Sequence, residues 1–115
     1  MGTMIIVEGK NDKKTLRRLL SDNISILCTF GTLNSDKIEV IKNKAKNHEI
    51  YIFTDNDPSG KKIRAQLSDL FPDAVQIYTR KGYAGVEGTP EEYLIHQLEK
   101  AGLDEYLLPV PPDMS

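Results

Sequence analysis

The 115 residues predict a single Rossmann-like α/β domain, with a mostly parallel four-stranded sheet flanked by helices. Short apolar runs alternate with longer segments of helical period from one end to the other, the pattern of successive strand-helix-strand units. Two of the apolar runs are nearly continuous in Val, Ile and aromatic residues, as strands covered on both faces are. Only one core is expected from a chain of this length.

In order, "MIIVE" (4 to 8), "SILCT" (25 to 29), "EIYIFTD" (49 to 55) and "AVQIYT" (74 to 79) read as strands. The first helix is expected over about 11 to 21, with Leu16, Leu19 and Leu20 on one stripe, and the second over about 35 to 47, with Ile38, Ile41 and Ala45. The third starts at Pro58 and offers Ile63, Leu67 and Leu70 to the core. For the fourth, "TPEE" supplies Thr89 as the cap, Pro90 at the first helical position and Glu92 to complete a capping box, ahead of Leu94, Leu98 and Ala101. Residues 1 to 3, before Met4, are set aside as an alternative or appended start. Residues 103 to 115 form a proline-rich tail that packs its leucines and then frays.

Composition narrows the class of function. Hydrophobic residues make up 39% and charged residues 28%, and no apolar run approaches the roughly 20 residues of a membrane helix. With one cysteine, Cys28, no internal disulfide forms, and the start has no secretion-signal pattern, so a cytoplasmic location with no membrane partner is expected. A net charge of −2 gives no global field for polyanions. Any nucleic acid must be drawn by a local patch or a bound cation. His48 and His96 stand apart and no Cys cluster accompanies them, which argues against zinc.

Carboxylates concentrate where a parallel sheet binds ligands, beyond the carboxyl ends of its strands. Glu8 ends the first strand, with Gly9, Lys10 and Asp12 following; Gly31 follows the second; Asp55 and Asp57 end the third; Glu87 lies in "KGYAGVEG" after the fourth. If the first and third strands are neighbours, Glu8 faces the Asp55/Asp57 pair across one crevice. Clustered acids raise one another's pKa unless a cation neutralises them, and hard oxygens at such an edge suit magnesium. The stretch "DNDPSG" also fits most of a calcium loop through Asp55, Asp57, Ser59 and Gly60, but Gln66 stands where a bidentate Glu belongs and a strand precedes it. An aspartyl-phosphate site is a further reading of D-x-D after an apolar strand. The plainest is that Asp57 caps the helix begun by Pro58, which leaves Asp55 and Glu8 without a reason. "EGKNDKKT" lacks the glycine spacing of a P-loop.

Taken together, "IIVEGKND" (5 to 12), the Gly31 turn and "IFTDNDPSGKKIR" (52 to 64) resemble the Toprim domain, the module shared by topoisomerases, primases, overcoming-lysogenization-type nucleases and recombination proteins. Within that family, "VEGKND", "FTDNDPSGKKIR" and "GVEGTPEE" are most similar to the Toprim half of the bacterial ribonuclease that matures small (5S) ribosomal RNA. The resemblance implies phosphodiester chemistry dependent on Mg2+, with Mn2+ as a substitute. It makes Glu8 the general acid/base and Glu8, Asp55 and Asp57 metal ligands, with Glu87 as a further one. Substrate contacts are expected from Gly9, Lys10, Asp12, Gly31, Ser59, Gly60 and Arg64, Gly9 and Gly60 by close backbone approach, and Lys10 and Arg64, by position, to phosphate or else as solvated surface cations. Two roles stand open for Asp12: holding a metal through water, or capping the first helix.

The topoisomerase route needs a tyrosine from a separate domain, and none of Tyr51, Tyr78, Tyr83, Tyr93 and Tyr106 has the setting of a nucleophile. The ribonuclease carries a further segment that engages RNA, so the expectation is either that a protein partner or homodimer completes the substrate site, or that the protein has a role other than ribosomal RNA maturation. Two functional classes follow. One is a metal-dependent nuclease acting on RNA or DNA; the other is a non-catalytic module that binds nucleic acid or protein. A pure binding module has no chemical need for all three core acids, which favours catalysis.

Overall fold

Strand β1 (Gly2–Val7) is the axis on which the rest of the chain is arranged. In the computed structural model, which describes residues 2–79, 86 and 88–109, it pairs in parallel with β2 (Ser25–Cys28) on one side and β3 (His48–Ile52) on the other. The fourth strand, β4 (Val75–Gln76), adds in parallel to β3 and gives the order β2-β1-β3-β4. The chain moves outward from β1 to β2 and then crosses back to β3. Strand order therefore reverses between β1 and β3, and a crevice opens there at their carboxyl ends.

Both faces of the sheet are covered, as the near-continuous apolar strands require. Ile5 and Val7 of β1 and Tyr51 of β3 point to one side, packing with Leu16 and Leu20 at the end of α1 (Lys10–Leu19) and with Leu94 and Leu98 of α4 (Glu91–Lys100). Met4, Ile6, Ile50 and Ile52 point to the other. There they meet Ile41 of α2 (Ser35–Lys44) and Ile63 and Leu67 of α3 (Pro58–Leu70). The period-2 alternation of strands thus feeds two apolar layers.

Several boundaries differ from the expectation. Gly2 and Thr3, set aside above, belong to β1: they align with His48 and Glu49, and the Thr3 hydroxyl hydrogen-bonds the Tyr106 hydroxyl at 3.0 Å. β3 ends at Ile52, so Phe53, Thr54 and Asp55 form the turn into α3, where the Thr54 hydroxyl donates to the Gly60 carbonyl at 3.0 Å. α4 begins one residue later than expected, with Pro90 and not Thr89 at the cap, its carbonyl accepting from the Tyr93 and Leu94 amides. The tail forms a short 3-10 helix, Asp104–Tyr106, and returns to α1: Leu103 is buried, and the Leu108 amide donates to the Leu19 carbonyl. Residues 110 to 115 lie outside the described residues. No described helix is long and apolar enough to cross a membrane.

With only two residues, β4 cannot hold itself to β3 through backbone pairing alone. Arg64 supplies the rest. The residue is 9% exposed, and its guanidinium donates through Nη1 to the Ile52 carbonyl (3.3 Å) and Gln76 Oε1 (2.7 Å), and through Nη2 to the carbonyls of Thr54 (3.1 Å) and Ile77 (2.6 Å). The Tyr78 ring covers it, with the guanidinium carbon 4.2 Å from the ring centroid. The planar fork matches several acceptors at once, which the single ammonium of lysine cannot do. Arg64→Lys is therefore expected to lower stability by about 3 kcal/mol, because hydrogen bonds from charged groups contribute about 1.5–3 kcal/mol each and the orphaned carbonyls stay buried. Urea denaturation checks this; a loss under about 1 kcal/mol would remove the structural role assigned to the guanidinium.

Candidate active site

Glu8 leaves the end of β1, and the turn after β3 delivers Asp55 beside it. The half-buried Glu8 carboxylate accepts the Asp55 backbone N–H through Oε1 at 2.7 Å. The crevice at the switch point is thus closed by a side-chain-to-backbone bond between residues 47 positions apart. Asp57 caps α3, its Oδ1 accepting the Gly60 amide at 2.6 Å, and Pro58 occupies the first turn as a proline should. The Asp55 carboxylate accepts the Val86 amide at 3.2 Å, linking the site to the loop before α4.

Gly60 lies under this junction. A Cβ at that position would overlap the Asp55 carbonyl and sit 2.6 Å from Glu8 Oε1. A contact with rigid backbone cannot be relieved by a rotamer change, so the helix can approach the acids only if residue 60 has no side chain. Gly31, in contrast, has open space around it and is required for its backbone, at φ +93.

The acids shape one another's protonation. Burial pushes the Glu8 carboxyl above the usual glutamate range; the Asp55 N–H pulls the other way, and the negative charges of Asp55, Asp57 and Asp12 add to the rise. Asp12 is buried in the first turn of α1, with Oδ2 accepting the Gly9 amide at 3.0 Å, so it serves as the reach-back half of a helix cap while its charge is felt at Glu8. Cys28 is a small core residue whose thiol donates to the Glu8 carbonyl at 3.2 Å.

The remaining expected residues separate into those at the crevice and those elsewhere. Lys10 and Ser59 are exposed, in the first turns of α1 and α3, whose amino ends open on the acids. Gly9 is the N-cap residue of α1. Arg64 was expected at a phosphate, but its guanidinium donors are turned inward to the carbonyls and the Gln76 side chain described above. Glu87 and Tyr83 lie outside the described residues. Thr54 and the Val86 amide, which position Gly60 and Asp55, carry no motif that sequence reading could single out.

Among the described residues no three His, Cys, Asp or Glu side chains converge as a ready-made metal cage. Magnesium does not require one, since it takes one or two carboxylates and keeps waters and substrate phosphates for its other positions. Glu8 Oε1 and Asp57 Oδ1 each accept a backbone N–H, and the negative charges of Asp55, Asp57 and Asp12, which add to the burial that raises the Glu8 pKa, are a load that a cation would offset. The donor set fits a hard divalent ion.

Two outcomes follow from this geometry. Gly60→Ala is expected to cost about 1–3 kcal/mol, the range for overpacking, and to break the Glu8–Asp55 hydrogen bond. Equal urea midpoints for the two proteins would show that the backbone yields instead. For Glu8, a folded-state pKa above the unfolded one means that its stabilising contribution is fully present below the unfolded pKa and is lost as pH rises through the folded value. Glu8→Gln keeps the acceptor for the Asp55 N–H but not the charge. In chelator its Tm should exceed that of the wild type near neutral pH and converge with it under acid conditions; a more stable wild type at neutral pH would contradict the assigned electrostatics.

Comparison with known proteins places this edge in context. The Toprim domain model matches residues 3–84. The uncharacterized protein YusF of Bacillus subtilis is 30% identical over 105 residues, covering 91% of this chain and 72% of that protein. Ribonuclease M5 of Fusobacterium nucleatum is 32% identical over 104 residues, 85% of this chain and 57% of the ribonuclease. Ribonuclease M5 of Mesoplasma florum is 42% identical over 68 residues, 58% and 39% respectively. The chain thus spans only part of the length of these two ribonucleases. A small TOPRIM domain protein from Bacillus stearothermophilus superposes with a TM-score of 0.80 at 30% identity, covering 89% of this chain and 86% of that one. A family model that covers most of the sequence and a solved relative of the same size agree, and the chain belongs to the Toprim domain family.

Proposed function

We propose that the chain is a cytoplasmic, divalent-metal-dependent nuclease of the Toprim type acting on nucleic-acid phosphodiesters, with RNA favoured by its likeness to the ribonucleases. The observation that carries the reading is the junction of Glu8 with Asp55 across β1 and β3, which sets a carboxyl of raised pKa beside two further carboxylates. Asp55, Asp57 and Glu8 would hold Mg2+ or Mn2+, with Glu87 as a further ligand. The ion's contribution is neutralisation of charge on the phosphate and activation of water.

Glu8 has the pKa direction of a general acid. As the oxygen of a water molecule forms its bond to phosphorus, the bond to the leaving oxygen breaks. That oxygen takes the proton from Glu8, while the water's proton passes to solvent. The exposed amino ends of α1 and α3 favour the anionic phosphate, and Lys10 stands at one of them. Asp12, buried and bonded to Gly9, fixes the turn that carries Glu8 and Lys10. In this reading a protein partner or second copy would extend the substrate site beyond the acids.

Structured RNA, single-stranded DNA and supercoiled DNA, each with Mg2+, Mn2+ or chelator, test the proposal. Cleavage is expected only with metal, and Glu8→Gln should reduce it at least about 100-fold, the lower end of what loss of general acid catalysis costs. Asp55→Asn should weaken the metal dependence in parallel. If cutting survives Glu8→Gln, Glu8 is not the acid; if no substrate is cut by the wild type, the domain is a binding module or part of a larger enzyme.

A further inference from the structure

Phe30 stands two residues past the end of β2, 68% exposed, with its backbone in the left-handed region at φ 57. A non-glycine residue there is strained, and a large aromatic side chain is among the least suited to it. The backbone is pinned in this state from both sides. Its N–H donates to the Glu8 carbonyl at 2.8 Å, and its carbonyl accepts the Lys37 ammonium at 3.1 Å. The ring is therefore held in solvent, where burial cannot repay the strain, on a backbone bonded to the Glu8 carbonyl. Tyr78, the other exposed large aromatic residue described, differs in having a ring face covered by Arg64.

The ring borders a shallow depression whose other walls are Lys10, Lys13, Lys14 and Arg17 of α1. Arg17 is committed to the carbonyls of Leu20, Ser21 and Ile24, but the three lysines are exposed and form no ion pair among the described residues. In a chain of net charge −2, this is a local concentration of positive charge around one exposed π-face. Cationic groups that track a backbone, combined with an aromatic platform, are the two elements by which unpaired nucleotides are bound. A second copy of the chain suits the depression less, since a two-fold contact would bring like-charged lysines together.

We propose that Phe30 and the lysines of α1 form a docking surface for a single-stranded polynucleotide, one unpaired base stacking on the Phe30 ring while neighbouring phosphates lie along Lys10, Lys13 and Lys14. The choice of polyanion rests on the nuclease reading of the adjacent acids. The surface selects strand form, because a base inside a duplex has no face to offer the ring. It places the stacked base one residue from Gly31 and next to the turn that carries Glu8.

The test measures binding of a labelled single-stranded oligonucleotide and of its perfect duplex in chelator, where cleavage does not intervene, for wild type, Phe30→Gly and Phe30→Tyr. Glycine relieves the strained backbone, so Phe30→Gly should have an equal or higher Tm and yet bind the single strand about 5- to 100-fold more weakly, the range for loss of one base–aromatic stack. Duplex affinity should be unchanged by it, and Phe30→Tyr should retain single-strand binding. Lys13→Ala with Lys14→Ala should lower the slope of log affinity against log salt by about 0.7 for each phosphate no longer neutralised. Unchanged single-strand affinity in Phe30→Gly overturns the proposal even if the wild type cleaves. So does a wild-type dimer that Phe30→Gly dissociates without an effect on binding, which would make the ring an interface between copies. Wild-type binding with these responses but no cleavage under any metal condition would remove the nuclease chemistry and leave the docking surface standing.

Discussion

The hydrogen bond from the Asp55 amide to the Glu8 carboxylate is the constraint around which the functional edge is built. It requires β1 and β3 to be neighbours, and the parallel register from Gly2 with His48 through Ile6 with Ile52 makes them so. It also requires α3 to begin close beneath the acids, which only an absent side chain at Gly60 permits. Asp57 then fixes the start of α3 by capping it on Gly60. One glycine thereby couples the helix cap, the strand junction and the orientation of the Glu8 carboxylate, and a methyl group added there acts on all three.

A second consequence is electrostatic. Burial raises the Glu8 pKa, the gathering of Asp55, Asp57 and Asp12 at the same sheet edge adds to the rise, and negative charge is left where the proposed phosphate substrate would arrive. α1 resolves part of this conflict through its period. In "KNDKK" the residue at position 12 turns inward and is buried against the Gly9 amide, while Lys10, Lys13 and Lys14 turn outward. The same ten-residue helix contributes a carboxylate to the interior of the turn and cations to its surface. A polyanion can therefore be attracted to the rim of a site whose centre is acidic.

Much of this was legible in the letters because it depends on period and local chemistry. Alternation of apolar residues named the strands, stripes of Leu and Ile named the helices, and Asp57 followed by Pro58 marked a helix start that the structure bears out. The adjacency of β1 and β3 stood in the letters only as the condition for Glu8 to face the two aspartates, and the strand register supplies it. What escaped was set by tertiary competition. Arg64 reads as a surface cation, but β4 is too short to stand alone and draws the guanidinium under it. Gly2 and Thr3 look like an appended start, yet β3 extends to His48 and offers them partners. Thr89 has a good capping signature, but the helix axis is set by the burial of Leu94 and Leu98, and Pro90 falls at the cap.

Phe30 illustrates a limit of another kind. In the sequence "CTFGT" it reads as one more apolar residue at a strand end, and the glycine beside it accounts for the turn. Only the backbone angle separates it from its neighbours. A residue that is strained, exposed and held in place by the Glu8 carbonyl on one side and Lys37 on the other contributes nothing evident to folding. Stability alone would favour glycine or asparagine at such a position. Strain retained where the surrounding structure enforces it is characteristic of sites at which a side chain is presented for use. The turn after β2 that presents this ring is bonded through the Phe30 amide to the Glu8 carbonyl in the turn after β1, so the proposed docking ring and the proposed general acid sit on two neighbouring turns joined by one hydrogen bond.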